Sequence, residues 1–190
     1  MSHGQHHGGE MERHNKTVIY EGDRYDLRHL FPKNWTLQLP CRTQVPAFVL
    51  FSSHCYTDEG APVGREALMI PDYNGNQRYF CERRYRLSLY LERWFLGWEY
   101  ETCYHSADKK RGAVRWLIVE ADGGMPVKVA FTLQPNRKDP QGVMIHVKTV
   151  HAYDWSQPPQ MPHPHLPFDV LIKGVGVNRK APQPRQRSGR

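Results

Sequence analysis

The residues Ser52-Ser53-His54-Cys55 follow directly on the apolar run Ala47-Phe48-Val49-Leu50-Phe51, so a strand end would deliver an imidazole, a thiol and two hydroxyls together. An imidazole titrates at about pH 6.5, which lets His54 accept or donate a proton at neutral pH. Further along, Arg78, Arg84 and Ser88 supply two guanidinium forks and a hydroxyl, groups that hold a phosphodiester or stabilise charge as it reacts. Tyr153, in His151-Ala152-Tyr153 at the end of another β-patterned run, is a further group for the same anion. His54, Arg78, Arg84, Ser88 and Tyr153 are therefore the candidate catalytic residues. Each also has a plainer reading. A histidine beside a cysteine often only braces its neighbours, charged helix residues are usually solvated, and tyrosines at strand ends usually pack. Cys55 lacks a glycine-rich or acyl-transfer setting and reads as core.

The elements that must position these groups follow from periodicity. Leu87, Tyr90, Leu91, Trp94 and Trp98 recur at helical spacing and predict one amphipathic helix from Cys81 to Trp98, with Arg84, Ser88 and Glu92 on a different, polar face. Before it, Thr17 to Gly22, Thr36 to Leu39 and Val45 to Ser53 read as strands, the last of them central, and Asp23 to Pro32 as irregular or a single turn. Asp58 to Asn76, punctuated by Gly60, Pro62, Gly64, Pro71 and Asn74-Gly75, reads as a long loop of the kind that is usually functional or disordered. Val114 to Glu120, Val127 to Leu133, Val143 to Trp155 and Phe168 to Val175 read as later strands, the first two joined by a turn at Asp122-Gly123-Gly124. Pro158, Pro159, Pro162, Pro164 and Pro167 make a stiff crossing before the last. The expected fold is α+β, with one main amphipathic helix packed on a mostly antiparallel sheet.

A chain of 190 residues, 39% of them hydrophobic, is long enough to fill one core. Residues 1 to 15, with His3, His6, His7 and His14, read as a disordered leader, 16 to 177 as one α+β domain, and 178 to 190 as a basic disordered tail. No run approaches the length of a membrane helix and the leader has no apolar core, so a soluble, cytoplasmic protein is expected, with no membrane contact. Cys41, Cys55, Cys81 and Cys103 are widely spaced, which fits reduced thiols better than a disulfide framework or a zinc ribbon. The net charge of +7 favours an anionic partner. Part of it lies in the tail, but Arg78, Arg83, Arg84, Arg86 and Arg93 gather in one short stretch, and clustering is what marks an electrostatic footprint.

Taken in order, His54-Cys55, Arg78-x-Phe80, Arg84-Tyr85-x-x-Ser88-x-x-Leu91, Cys103, Ala152-Tyr153 and Phe168-Asp-Val-Leu-Ile resemble a family of small bacterial proteins. Its members carry names such as stationary phase growth adaptation protein or heat shock protein C, and the likeness spans roughly residues 17 to 180. At the level of fold, a helix followed by an antiparallel sheet bearing His, Arg and hydroxyl groups is similar to the plan of metal-independent ribonucleases of the barnase, colicin and RelE-like group. Three functions compete. The first is a ribonuclease-like enzyme with His54 as acid or base, Arg78 and Arg84 holding phosphate, Ser88 and Tyr153 positioning it, and no cofactor, since the helix offers only Glu82 and Glu92 as carboxylates for a metal pair. The second is a non-catalytic regulatory module whose basic helix face meets RNA, another polyanion or an acidic protein. The third is a zinc-stabilised domain drawing on His54, Cys55, Cys81, Cys103 and His105, which the wide ligand spacing disfavours.

Overall fold

A two-residue turn opens the fold. Glu21 and Gly22 both have positive φ, the backbone that a tight hairpin requires, and they join β1 (Thr17–Tyr20) to β2 (Asp23–Asp26). The structure, a computed structural model, describes residues 16–40, 42–95, 97, 102–105, 114–153 and 166–176. The leader 1–15, the tail 178–190, the prolines 158–164, Cys41 and Trp98 lie outside the described residues. A 3-10 turn (Arg28–Leu30) leads into β3 (Lys33–Gln38) and β4 (Gln44–Phe51). Another (Ser53–Cys55) precedes β5 (Thr57–Asp58), which pairs with β6 (Tyr79–Phe80) across the long loop. Then come α1 (Glu82–Ser88), α2 (Leu91–Phe95), β7 (Thr102–His105), β8 (Arg115–Ala121), β9 (Met125–Pro135), β10 (Val143–Ala152), β11 (Leu166–Pro167) and α3 (Phe168–Gly176).

Seven strands form one curled sheet in the order β11-β7-β8-β9-β10-β4-β3. The sheet is mixed: β4 runs parallel to β10, while the other described neighbours are antiparallel. Strand alternation puts the buried side chains Val45, Ala47, Val49 and Phe51 of β4 on the same face as Val143, Ile145 and Val147 of β10 and Val127, Val129 and Phe131 of β9. That face is the core, and Leu87, Leu91 and Trp94 of the helices belong to it. Positive φ at Gly123 and Gly124 makes the β8–β9 turn at the expected place.

Four expectations need correction. The segment Phe168–Gly176 is a helix rather than a strand: Phe168, Leu171, Ile172 and Val175 are all fully buried at helical spacing, Phe168 packs edge-on against Phe131 with centroids 5.8 Å apart, and Asp169 pairs with Lys173 one turn on at 3.1 Å. Asp23–Asp26 is a strand, because the tight hairpin pairs it with β1. β4 lies next to the edge rather than in the centre, because β3 hairpins onto its outer side. The long helix is two short ones, broken at Leu89-Tyr90, where Leu89 is exposed. The break lets the Tyr90 hydroxyl donate to Asp122 at 2.7 Å and the Trp94 indole donate to the Glu120 carbonyl at 3.2 Å, tying α2 to the β8 end while α1 packs on β10. Among the described residues no helix is long and apolar enough to cross a membrane.

Candidate functional site

Where β4 ends, the chain coils into the 3-10 turn that carries His54. Ser52 N–H still donates to Val147 of β10, the Ser52 hydroxyl caps the turn by accepting from His54 N–H at 3.3 Å, and Cys55 is buried beneath it, as its core reading requires. The next residues, Thr57 and Asp58, are where the two arginines converge. Arg78 is 4% exposed. Its Nε donates to Thr57 Oγ1 at 2.8 Å, that hydroxyl donates on to the Ser53 carbonyl at 2.9 Å, Nη2 reaches the Thr57 carbonyl at 3.3 Å and Nη1 the Glu59 carboxylate at 3.2 Å. This is a buried chain of mutually polarising bonds that clamps β6 to the start of the long loop.

Arg84, half-buried on α1, grips Asp58 with both arms: Nε donates to Oδ2 and Nη2 to Oδ1, each at 3.2 Å. Its Nη1 donates to Thr149 Oγ1 at 2.8 Å and to the His54 carbonyl at 3.3 Å. A bulge in β10 between Val147 and Thr149 shifts the register there. His151, two residues on, lies opposite Lys128 of β9, and its Nδ1 is buried with no hydrogen-bond partner among the described residues. Burial, reinforced by the positive charges of Arg84 and Lys128 and opposed by Asp58, pushes its pKa down to about 4.

The His54 ring faces the long loop. Its Nε2 stands 3.5 Å from Oδ2 of Asp72. Asp72 also accepts the backbone N–H groups of Asn74 and Asn76 at 2.9 Å and the Asn76 amide at 3.0 Å. Burial alone would raise its pKa; the bonds from Asn76, His54 and Asn74 outweigh it and hold the carboxyl below its usual range. A carboxylate fixed this firmly orients the imidazole, the relation a general base requires, and it also latches the loop to the sheet.

Ser88 departs from this group. It is buried, with its hydroxyl 2.7 Å from His29 Nε2 and 2.7 Å from the Tyr85 carbonyl, within an aromatic cluster of Tyr20, Tyr25, Phe80 and Tyr85. Arg84, Leu87, Ser88 and Leu91 share one inward helical face, so the polar stripe expected apart from the apolar one merges with it. Tyr153 follows β10, its N–H donating to the Pro126 carbonyl at 2.8 Å. His54, Arg78 and Arg84 thus gather around β5, while Ser88 joins the aromatic cluster. Asp58, Asp72, Thr149 and His151 were missed; Asp72-x-Asn74-Gly75 carried a readable signal, since an aspartate two residues before Asn-Gly caps its own turn. Among the described residues no group of three or more His, Cys, Asp or Glu side chains is placed to hold a metal ion.

The outward face of α1 differs. Arg83 and Arg86, with Arg65 from the long loop, border a cleft of about 500 Å³ that Tyr20, Phe80 and Asp58 also line. Arg83 is exposed and has no hydrogen-bond or ion-pair partner among the described residues.

Comparison with curated proteins and with solved structures yields no match. The model of one family, the YjaZ family, matches residues 17–175, a span that runs from β1 to α3 and takes in the His54, Arg78 and Arg84 network and the cleft. The chain belongs to the YjaZ family.

Proposed function

We propose that the protein is a non-catalytic module that binds a polyanion, single-stranded RNA first, through the outer face of α1. One observation supports this reading above the enzymatic one: the arginines divide into two sets. Arg78 and Arg84 are neutralised and fully bonded inside the fold, whereas Arg83, Arg86 and Arg65 stand exposed at an open cleft, Arg86 and Arg65 in surface pairs with Glu82 and Arg83 unpaired among the described residues. Paired, buried guanidinium groups maintain structure; exposed ones release counterions when phosphate binds. Single-stranded RNA should bind the full chain with affinity that falls steeply with salt. Arg83→Ala and Arg86→Ala should each lower the slope of log K against log salt by about one. Equal slopes in the wild type and in the double variant would refute the assignment.

The His54–Asp72 pair favours a second reading, a metal-independent ribonuclease-like enzyme, the function the fold-level likeness implied. Cleavage that survives EDTA and is lost in His54→Ala, with the fold retained, would establish it, because acid–base assistance contributes about a hundred- to ten-thousandfold in rate.

A further inference from the structure

Lys128, half-buried on β9, carries a charge that no carboxylate among the described residues neutralises. Burial lowers its pKa, and its Nζ lies 4.7 Å from the centroid of the Trp116 ring. Asp58 is taken up by the two-armed grip of Arg84, and Glu120, diagonal to Lys128 on β8, makes no ion pair with it. An ammonium drawn partly out of water without a counter-ion is unfavourable, and the face of one aromatic ring offsets only part of that. Directly opposite on β10 stands His151, whose Nδ1 is buried with no hydrogen-bond partner among the described residues. Since no hydrogen bond to a described residue holds this ring, it can turn a nitrogen to a ligand without breaking one.

Strand register brings the two groups to one place. On this face of the sheet the row Trp116, Ala130, Thr149 runs beside the row Ile118, Lys128, His151. Opposed side chains stand about 5 Å apart at Cβ, so the one-carbon side chain of Ala130 makes the floor of a dip, with Trp116, Thr149 and Lys128 around it and His151 at the corner. Arg84 borders the Thr149 side, its Nη1 donating to Thr149 Oγ1 at 2.8 Å, and Lys148 of the bulge reaches to His146 Nδ1 at 2.8 Å instead. Burial first, then the charges of Arg84 and Lys128, push the pKa of His151 down to about 4, so at neutral pH its ring is uncharged and keeps one N–H to donate. We propose that the dip over Ala130 binds a small monocarboxylate, one oxygen accepting from the Lys128 ammonium and the other from the His151 imidazole. A planar two-oxygen fork suits donors on adjacent strands, and its single negative charge matches the one cation left without a counter-ion; a phosphate dianion brings a second charge that nothing here meets. Neither Lys128 nor His151 lines the cleft beside α1, so this site and the RNA surface stand or fall separately.

The test follows the imidazole ring signals of the full, carbon-13-labelled chain by NMR at pH 8, where inorganic phosphate is a dianion. The His151 signal is assigned by its loss in His151→Gln. Sodium acetate, inorganic phosphate and sodium chloride are titrated in turn at constant ionic strength. Acetate should shift the His151 signal along a saturating curve in the millimolar range, while chloride and phosphate should not saturate it. Lys128→Met keeps an unbranched apolar stem against Trp116 but removes the charge, and should weaken acetate binding about tenfold or more. A His151 shift that grows without saturation, as with chloride, would overturn the proposal. So would saturation undiminished in a folded Lys128→Met, or phosphate binding as tightly as acetate. Should the variant fail to fold, the contrast of acetate with chloride and phosphate in the wild type still decides.

Discussion

At the scale of single residues, what distinguishes this chain is where its positive charges are neutralised. Arg78 is held by one side-chain hydroxyl, one carbonyl and one carboxylate, with its guanidinium almost wholly out of water. Arg78→Ala should leave the Thr57 carbonyl and hydroxyl short of donors in the interior and destabilise the fold by about 2–4 kcal/mol, measured by urea denaturation. Arg84 and Asp58 form a half-buried, two-armed pair. A double-mutant cycle on Arg84→Ala and Asp58→Ala should give a coupling energy of about 1–2 kcal/mol; additive effects would show that the pair is screened by solvent. Sequence reasoning grouped His54, Arg78, Arg84, Ser88 and Tyr153; in the fold His54, Arg78 and Arg84 lie around β5, and Ser88 lies among the aromatic rings. His54, Arg78 and Arg84 are each held by internal partners. Their partners Thr57, Asp58, Asp72 and Thr149 come from a short strand, a loop and a distant strand, and no local pattern ties those positions together.

At the scale of elements, α3 is the most instructive departure. Phe168-Asp-Val-Leu-Ile is rich in β-branched and aromatic residues and follows a proline, which favours a strand reading, yet the spacing Phe168, Leu171, Ile172, Val175 is the helical one, and burying that stripe against β9 outweighs the weak intrinsic preference. The two readings differ in outcome. In a strand, Val170 and Ile172 would share a face. In the helix Val170 is exposed and Ile172 is fully buried. Ile172→Ala should therefore cost about 2–4 kcal/mol, and Val170→Ala within about 0.5 kcal/mol, in thermal or urea unfolding. Similar losses at both positions would restore the strand. The break between α1 and α2 was equally invisible in the apolar stripe, because Leu87, Leu91 and Trp94 keep helical spacing across it; only the anchors at Asp122 and Glu120 show why the helix turns.

At the scale of the whole molecule, the titratable groups whose pKa the fold displaces set how it responds to acid. The folded pKa of His151, about 4, lies below the ordinary histidine value, so the unfolded chain takes up this proton first. Stability should fall as pH drops through the ordinary histidine range toward about 4 and this contribution should then level off. Asp72 and Asp26 behave as depressed carboxyls, the Arg28 side chain and backbone holding Asp26 down to about 2, so their contributions persist above the ordinary carboxylate range and are lost below it. Urea midpoints taken from neutral pH downward should show both limbs, and His151→Gln should flatten the first while leaving the second; a first limb unchanged in that variant would assign it elsewhere. By itself the sequence determined that the chain is α+β, that Val45 to Phe51, Val127 to Leu133 and Val143 onward are strands, that Asp122-Gly123-Gly124 turns, that a helix begins near Glu82 and that its arginines cluster, since periodicity, turn chemistry and charge are local properties. Tertiary structure alone decided the parallel β4–β10 pairing, the edge position of β3, the helicity of α3 and which arginines are bonded within the fold and which face the cleft. Those outcomes depend on which distant segments meet, and burial energy between distant segments leaves no periodic trace in either of them.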